Sequence, residues 1–240
     1  MKLNVFVSST KDGIMSKDKK YFPKLTEEER NILYENTLDR FFSRRNLDYK
    51  DVIIITEKNN VNDSRIATKN NKKIKEKVII VKETTPNLPI AVETADSPII
   101  IASAKNREGQ NICAIGLGTI ENINNNLLSL IIDSLMKETD AAPFEMTFYI
   151  GACPSKENYV LDSVDELTNP LWKNTYTKKK KKYYLDLRFA IFNQLIKEIV
   201  DPNYIYFDST DTTEDENYFS DIGNKLGKHL ECVVYTDEEV

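Results

Sequence analysis

The stretch 90–117, IAVETADSPIIIASAKNREGQNICAIGL, decides the fold of this chain. It contains three short apolar runs, at 90–92, 99–102 and 112–115, whose length and β-branched side chains are typical of buried strands. The last two runs are separated by the polar segment Arg107-Glu108-Gly109, which contains the glycine that a tight turn favours. The pattern therefore predicts a β-hairpin at this turn.

Further strands and helices flank this stretch. Apolar patterns predict strands over 3–8, 52–55, 78–81, 144–150, 204–207 and 229–235. Apolar residues at helical spacing predict helices over 26–46, 121–137 and 187–200. Thr26 and Glu29 have the spacing of a capping box, and Pro202 follows the third helix. Because strands and helices mix without a regular βαβ repeat, we expect an α/β or α+β layered sheet protein.

The patterns also predict which residues of the third helix are buried and which stretch of chain is exposed. The apolar face of the third helix is predicted to consist of Phe189, Phe192, Leu195, Ile196 and Ile199. The polar stretch 59–77 is predicted to be a loop or an exposed edge strand, because it interrupts two buried strands.

Size and charge limit the function classes. The chain has 240 residues, of which 40% are hydrophobic, so we expect one domain over 1–240. The 33 basic and 38 acidic residues give a net charge of −5, so we expect neither nucleic acid nor a membrane surface as a partner. The N-terminus turns polar after a few apolar residues, which predicts a cytoplasmic protein with reduced cysteines.

Few side chains are suited to metal binding or nucleophilic catalysis. The chain has one histidine, His229, for which a structural or surface role is favoured. No Cys-x-x-Cys or His-Glu-x-x-His pair occurs, and the acidic segment 208–216 favours a solvated loop over a magnesium or calcium site. Cys153 follows a predicted strand, where a side chain can face a site. Whether a site uses Cys153 or His229 is left open by the sequence.

The lysine run 178–182 is the most concentrated positive charge in the chain. Such a run attracts phosphates, and a nucleic-acid contact is one interpretation. Since the protein is acidic overall, the sequence favours a solvated loop instead.

A series of short motifs resembles, in order, the laccase-domain family, whose members are also described as polyphenol oxidases and as purine nucleoside phosphorylases. The stretch 8–13, Ser-Ser-Thr-Lys-Asp-Gly, resembles the family's Ser-Thr-Arg-x-Gly-Gly, and 94–98, Thr-Ala-Asp-Ser-Pro, resembles Thr-Ala-Asp-Cys-x-Pro. The stretch 185–187 with 194–195 matches Leu-Asp-Leu and Gln-Leu, and 218–220 resembles Phe-Phe-Ser. The resemblance covers nearly the whole chain and implies a single four-layer α-β-β-α sandwich with mixed sheets.

The departures from the family fall on its zinc ligands, two histidines and one cysteine. By the resemblance, Asn62 and Gly116 stand in place of the histidines and Ser97 in place of the cysteine. The arginines that follow Phe-Phe-Ser in the family are replaced by Asp221 and Ile222. An amide, a hydroxyl and a glycine do not replace imidazole and thiolate as zinc ligands. We therefore expect no cofactor, whereas intact members hold zinc.

The resemblance thus predicts a degenerate family member without zinc or catalysis. Its pocket by family position would be lined by Asn62, Ser97, Gly116 and Ser220. We expect it to bind a purine nucleoside, phosphate or a protein partner of unknown identity.

Two alternatives stay open. The first is an active purine nucleoside phosphorylase or adenosine deaminase-type enzyme without the zinc triad, in which Asp96 or Glu157 is the general acid and Ser97 orients the substrate. The second is an interaction module, which predicts an exposed apolar patch.

Overall fold

The computed structural model describes residues 1–69 and 74–238. Two sheets form its centre. The four-stranded sheet has the order β1 (Lys2–Val7), β13 (His229–Thr236), β5 (Ile90–Thr94), β2 (Ile53–Ile55). The six-stranded sheet has the order β12 (Ile205–Phe207), β8 (Thr147–Ile150), β6 (Ile99–Lys105), β7 (Asn111–Leu117), β4 (Glu76–Lys82), β3 (Val61–Ile66).

Helices cover the outer faces of both sheets. Helix α1 (Glu27–Ser43) packs its buried residues on the four-stranded sheet. Helices α3 (Leu127–Thr139) and α4 (Leu187–Lys197) pack on the six-stranded sheet. A third apolar core fills the space between the sheets. The mixed α+β class and the layered single-domain sandwich predicted from the sequence are confirmed.

The local predictions with the clearest physical basis are also confirmed. β6 and β7 pair antiparallel from Ile99↔Leu117 to Lys105↔Asn111, and Gly109 in their turn has a φ of 78°. The Thr26 side chain accepts a hydrogen bond from the Glu29 backbone N–H at 3.2 Å, while Glu29 accepts from the Thr26 N–H at 2.8 Å, so the capping box begins α1. The polar stretch at 59–77 contains the exposed edge strand β3, whereas its last two residues are buried in β4 and 70–73 lie outside the described residues.

The prediction of one helix over 121–137 is wrong in one respect, because the structure has two helices in this range. α2 (Ile120–Asn124) ends at Asn125, and α3 begins after Asn126, whose φ is 59°. Asparagine tolerates this left-handed conformation better than most residues, so the Asn run allows the chain to turn between helices. The apolar spacing continues across the break because both helices contribute to one core.

The predicted buried helix faces need correction as well. In α4 the buried residues are Leu187, Ala190, Ile191, Gln194 and Leu195, whereas Phe189 and Ile196 are exposed. Ile199, predicted to be helical, lies beyond the end of α4 with a φ of 64° and is 71% exposed. In α1, Ile32 and Leu33 belong to the apolar spacing that predicted the helix, and they are exposed too. Apolar spacing alone did not separate the buried face of α4 from the exposed one.

A small third sheet was not predicted. It has the order β10 (Tyr176–Lys179), β11 (Lys182–Leu185), β9 (Val160–Leu161), and all its pairings are antiparallel. The lysine run therefore lies in a β-hairpin, so the predicted loop is wrong there, while the predicted solvent exposure of the five lysines is confirmed. Within the described residues, no helix is both long and apolar enough to cross a membrane.

Candidate functional site

Asp96 lies where the chain passes from one central sheet to the other, between β5 and β6. Its Oδ1 accepts hydrogen bonds from the Thr212 hydroxyl at 2.8 Å and the Ser220 hydroxyl at 2.6 Å, and its Oδ2 accepts from the Ile222 N–H at 3.0 Å. The carboxylate therefore fixes the loop that leads into β13. This is a positioning role, and it leaves few acceptor sites on Asp96 for a ligand.

The other residues singled out from the sequence are dispersed. Ser97 is partly exposed beside Asp96, and its backbone N–H donates to the Thr94 hydroxyl at 3.0 Å. Ser220 is buried under Asp96, whereas Glu157 is exposed. Asn62 is exposed on the edge strand β3. The structure brings Ser97 and Ser220 to the Asp96 junction and leaves Asn62 on the sheet edge.

Gly116 lies in β7 on the face that packs against α3. A Cβ built there would be 3.1 Å from a methyl carbon of Leu127 and 3.2 Å from one of Ile131. Gly116 is thus part of the contact between helix and sheet. The pocket assigned by family position to Asn62, Ser97, Gly116 and Ser220 stays a prediction.

A cleft of about 650 Å³ opens on the outer side of the four-stranded sheet, a size that suits a small-molecule ligand. It lies between the segment 16–21, the first turns of α1 and the segment 56–58. Its charged lining residues are the basic Lys17, Lys19, Lys20, Arg30, Lys58 and Lys228 and the acidic Asp18, Glu27, Glu57 and Glu93. Six basic against four acidic side chains contrast with the acidic excess of the whole chain. The cleft is therefore locally suited to an anionic or strongly polar ligand.

Ion pairs and a half-buried carboxyl shape this cleft. Lys228 Nζ lies 2.9 Å from Glu57 Oε1, and Lys20 Nζ lies 3.0 Å from Asp221 Oδ2. Glu93 accepts a hydrogen bond from the Ser16 hydroxyl at 2.8 Å, and burial raises the pKa of Glu93 above its ordinary value. We did not single out Glu93 from the sequence. An acidic residue within an otherwise apolar strand, next to the Thr94-Ala95-Asp96 motif, was the available signal.

The opposite face of the same sheet carries a buried acid and base. His229 and Glu231 alternate on β13 with Leu230 and Cys232, which pack toward α1, so both point into the space between the sheets. They are 0% and 1% exposed, and His229 Nε2 lies 3.6 Å from Glu231 Oε1, too far for a hydrogen bond. For His229 the sequence favoured a structural or surface role over a role in a site; its burial excludes a surface position, and the structural role stays a prediction.

Burial sets the protonation states of this pair. It lowers the pKa of His229 to about 3 and raises the pKa of Glu231 to about 8. At pH 7 the imidazole is neutral and most Glu231 carboxyls are protonated, so the contact is not an ion pair. Both imidazole nitrogens and Glu231 Oε1 have no hydrogen-bond partner among the described residues.

Gly151 makes room for the buried carboxyl. A Cβ built at Gly151 would lie 1.9 Å from Glu231 Oε2 and 2.8 Å from a side-chain carbon of Ile99. The Tyr218 ring packs edge-on against the His229 ring, with centroids 5.0 Å apart. Tight packing on several sides explains why neither titratable side chain reaches solvent.

The residues present do not fit the zinc site of the intact family. The three cysteines lie in three different apolar cores, and burial raises the pKa of Cys113 and of Cys153 to about 12, which disfavours the thiolate that zinc requires. Cys153, considered as a site residue from sequence, is fully buried. Over residues 1–69 and 74–238, no group of three or more His, Cys, Asp or Glu side chains is arranged to hold a metal ion.

Comparisons with known proteins agree with this fold. Residues 31–236 match the family model described as multi-copper polyphenol oxidoreductase laccase. A search of curated proteins finds no match. YlmD from Geobacillus stearothermophilus has a TM-score of 0.71 at 16% identity, covering 84% of this chain and 79% of its own.

Two further solved structures share the architecture. The hypothetical protein YfiH from Bacillus licheniformis has a TM-score of 0.68 at 15% identity, covering 85% of this chain and 81% of its own. The Neisseria meningitidis protein NMB0706 has a TM-score of 0.65 at 17% identity, covering 84% and 80%. At these identities the likeness concerns the fold, while the family model spans most of the sequence. This chain belongs to the laccase-domain family.

Proposed function

We propose that this protein is a laccase-domain family member that works without the family's metal chemistry and binds a purine nucleoside, phosphate or a related polar ligand. The observation that carries the proposal is the donor set: Asn62, Ser97 and Gly116 at the positions that the resemblance assigns to the zinc ligands. None of the three side chains supplies an imidazole or a thiolate.

The cleft beside Glu93 supports ligand binding as the retained activity. Its volume of about 650 Å³ suits a nucleoside-sized molecule, and its basic excess favours phosphate or another anion. Lys19 and Lys58 are exposed at its rim, where their ammonium groups can meet a ligand. The floor contributes polar groups from Glu93 and Lys228.

Metal content and turnover test the first half of the proposal. Protein purified without chelator should contain far less than one zinc or copper per chain by mass spectrometry. It should release no base from adenosine, inosine or guanosine, with or without phosphate, while an active zinc-containing relative does so in parallel. Stoichiometric metal, or phosphate-dependent base release, would contradict the proposal.

Calorimetric titration with phosphate and with the three nucleosides tests the second half. The double variant Lys19→Gln, Lys58→Gln should weaken phosphate binding by roughly 30-fold, since each of the two charges contributes about 1 kcal/mol in hydrated surroundings. The matched control, Lys137→Gln with Lys197→Gln, changes the net charge equally at exposed lysines outside the cleft. Equal loss in both variants would show that the cleft is not the binding site.

A metal-independent enzyme is the second candidate, and the Glu93 carboxyl favours it. A raised pKa brings a carboxyl in a cleft closer to the range in which it can act as a general acid. By contrast, Asp96 is held by three hydrogen bonds, and Glu157 is exposed. If turnover is found, Glu93→Gln should abolish it with stability intact. Asp96→Asn should instead lower both activity and stability, because it disrupts the buried junction.

A further inference from the structure

The hairpin formed by β10 and β11 concentrates five lysines, 178–182, at one end of the small sheet. All five are exposed. Lys180 and Lys181 form the two-residue turn, and Lys179 lies directly opposite Lys182 across the strand pair. The tip is thus a compact positive charge in a protein of net charge −5.

This arrangement of lysines destabilises the hairpin. Like charges opposite each other on paired strands repel, as Lys179 and Lys182 do. Lys180 has a φ of 56°, at the turn position where glycine is preferred. Among the described residues, the five lysines of this tip form a single ion pair, between Lys182 and Asp162. A locally unfavourable sequence with little compensation within the chain points to a role outside the fold.

Aromatic rings stand beside the lysines. The Lys178 ammonium lies 5.0 Å from the Tyr183 ring centroid, and the Lys179 ammonium lies 5.1 Å from that of Tyr184. Both rings are partly exposed, and as neighbours on one strand they face opposite sides of the sheet. Each side of the tip therefore combines an ammonium group with a π-face.

We propose that this tip binds single-stranded nucleic acid, with the lysines contacting phosphates and Tyr183 and Tyr184 offering ring faces to bases. A positively charged surface with aromatic rings beside it is what sequence-tolerant single-strand binding uses. A membrane-inserting tip would carry apolar side chains, yet every residue from 178 to 182 is lysine. A protein partner would be expected to meet an apolar anchor, which the tip lacks as well. The expectation of no nucleic-acid partner rested on the net charge of the whole chain, and the nucleic-acid interpretation of the lysine run was set aside on the same ground.

Fluorescence anisotropy with a labelled oligouridine of about 12 nucleotides, a length within the usual site size, tests the proposal. Changing the four lysines 178–181 to glutamine should weaken oligouridine binding by about tenfold or more at low salt. The charge-matched control, with glutamine at the exposed Lys2, Lys11, Lys24 and Lys137, should remain within about twofold of the parent protein. Equal binding by the two variants would overturn the proposal.

Salt and ring substitutions separate nucleic acid from other polyanions. With about four phosphate contacts, affinity should fall roughly 50-fold between about 50 and 200 mM salt. Tyr184→Leu should cost about fivefold while Tyr184→Phe retains binding, because stacking needs the ring and not the hydroxyl. Binding to anionic lipid vesicles or to polyglutamate as tight as binding to the oligonucleotide would overturn the assignment. A melting temperature at or above that of the parent protein shows that the four-lysine variant is folded.

Discussion

Two carboxyls lie on opposite faces of one sheet, the half-buried Glu93 in β5 and the fully buried Glu231 in the adjacent β13. Burial raises the pKa of both. Glu93 faces the cleft and accepts a hydrogen bond from Ser16, whereas Glu231 faces the space between the sheets with Oε1 unpartnered among the described residues. Burial thus raises the pKa of both carboxyls, but a ligand can reach only Glu93.

The difference shows that a raised pKa does not identify a functional group by itself. Perturbed carboxyls mark sites only when the geometry lets them meet a reactant. Glu231 meets packed protein on the sides formed by Gly151, Ile99 and His229. We therefore expect Glu231 to control the pH dependence of stability and Glu93 to control the chemistry of the cleft.

Replacing Glu231 should produce the largest effect. Its pKa in the folded protein, about 8, lies above the ordinary value of 4.5, so its stabilising contribution is complete below pH 4.5 and is lost as pH rises through 8. The parent protein should lose roughly 4 kcal/mol of unfolding free energy over this range. Glu231→Gln, which mimics the protonated carboxyl, should lose far less. Urea unfolding at a series of pH values, followed by the fluorescence of the buried Trp172, measures this.

The exposed Glu157 provides the control for that experiment. Glu157→Gln should keep the decline of the parent protein toward alkaline pH. An unchanged decline in Glu231→Gln would mean that the buried carboxyl is not responsible.

His229 should make the free energy of unfolding depend on pH in the acid range, with stability lost as pH falls and not as it rises. Its pKa is lowered from 6.5 to about 3, so its contribution is complete above pH 6.5 and is lost as pH falls. Between pH 6.5 and 4 the loss should be roughly 3 kcal/mol, and His229→Gln should reduce it. Since the chain has a single histidine, no second imidazole can produce this step. Glu231 gains stability over the same range and offsets this loss in the parent protein, so the comparison is made in the Glu231→Gln background, where that gain is absent. Urea midpoints that stay flat over this range in Glu231→Gln would count against a buried neutral imidazole.

Gly151→Ala tests the tight packing that seals Glu231. The added methyl would meet Glu231 Oε2 and a carbon of Ile99, so overpacking should cost about 1–3 kcal/mol of unfolding free energy. Gly116→Ala should cost less, because its Cβ would meet only flexible ends of Leu127 and Ile131 at 3.1–3.2 Å. Adding Glu231→Ala should relieve much of the Gly151→Ala penalty, and additive losses would show that the two residues do not interact.

The sequence predicted those features that depend on neighbouring residues. The hairpin at Gly109, the capping box at Thr26 and the edge strand within 59–77 all follow from local rules, and each is present. The break at Asn126 and the exposed face of α4 were missed because both depend on which neighbours cover an apolar residue.

The candidate site was less predictable than the fold. The motif match led to Asp96 and Ser97, and the structure places Asp96 at a loop junction. The cleft is formed by segments far apart in the chain, near residues 16–21, 56–58, 93 and 228. The burial that perturbs Glu93, His229 and Glu231 arises only after the two sheets and α1 have packed. No local pattern contains that information.

Glu93→Gln should have the smallest effect on stability and a selective effect on binding. As pH rises through the raised pKa of Glu93, the parent carboxyl gains negative charge beside the cleft and should weaken phosphate binding by up to about fivefold, about 1 kcal/mol. Glutamine cannot ionise, so phosphate affinity in the variant should lose that part of its pH dependence. Glu231→Gln, on the other face, should leave it intact. Titration calorimetry across the pH series compares the two variants directly. If Glu231→Gln flattened the profile and Glu93→Gln did not, the assignment of one carboxyl to ligand and the other to stability would have to be reversed.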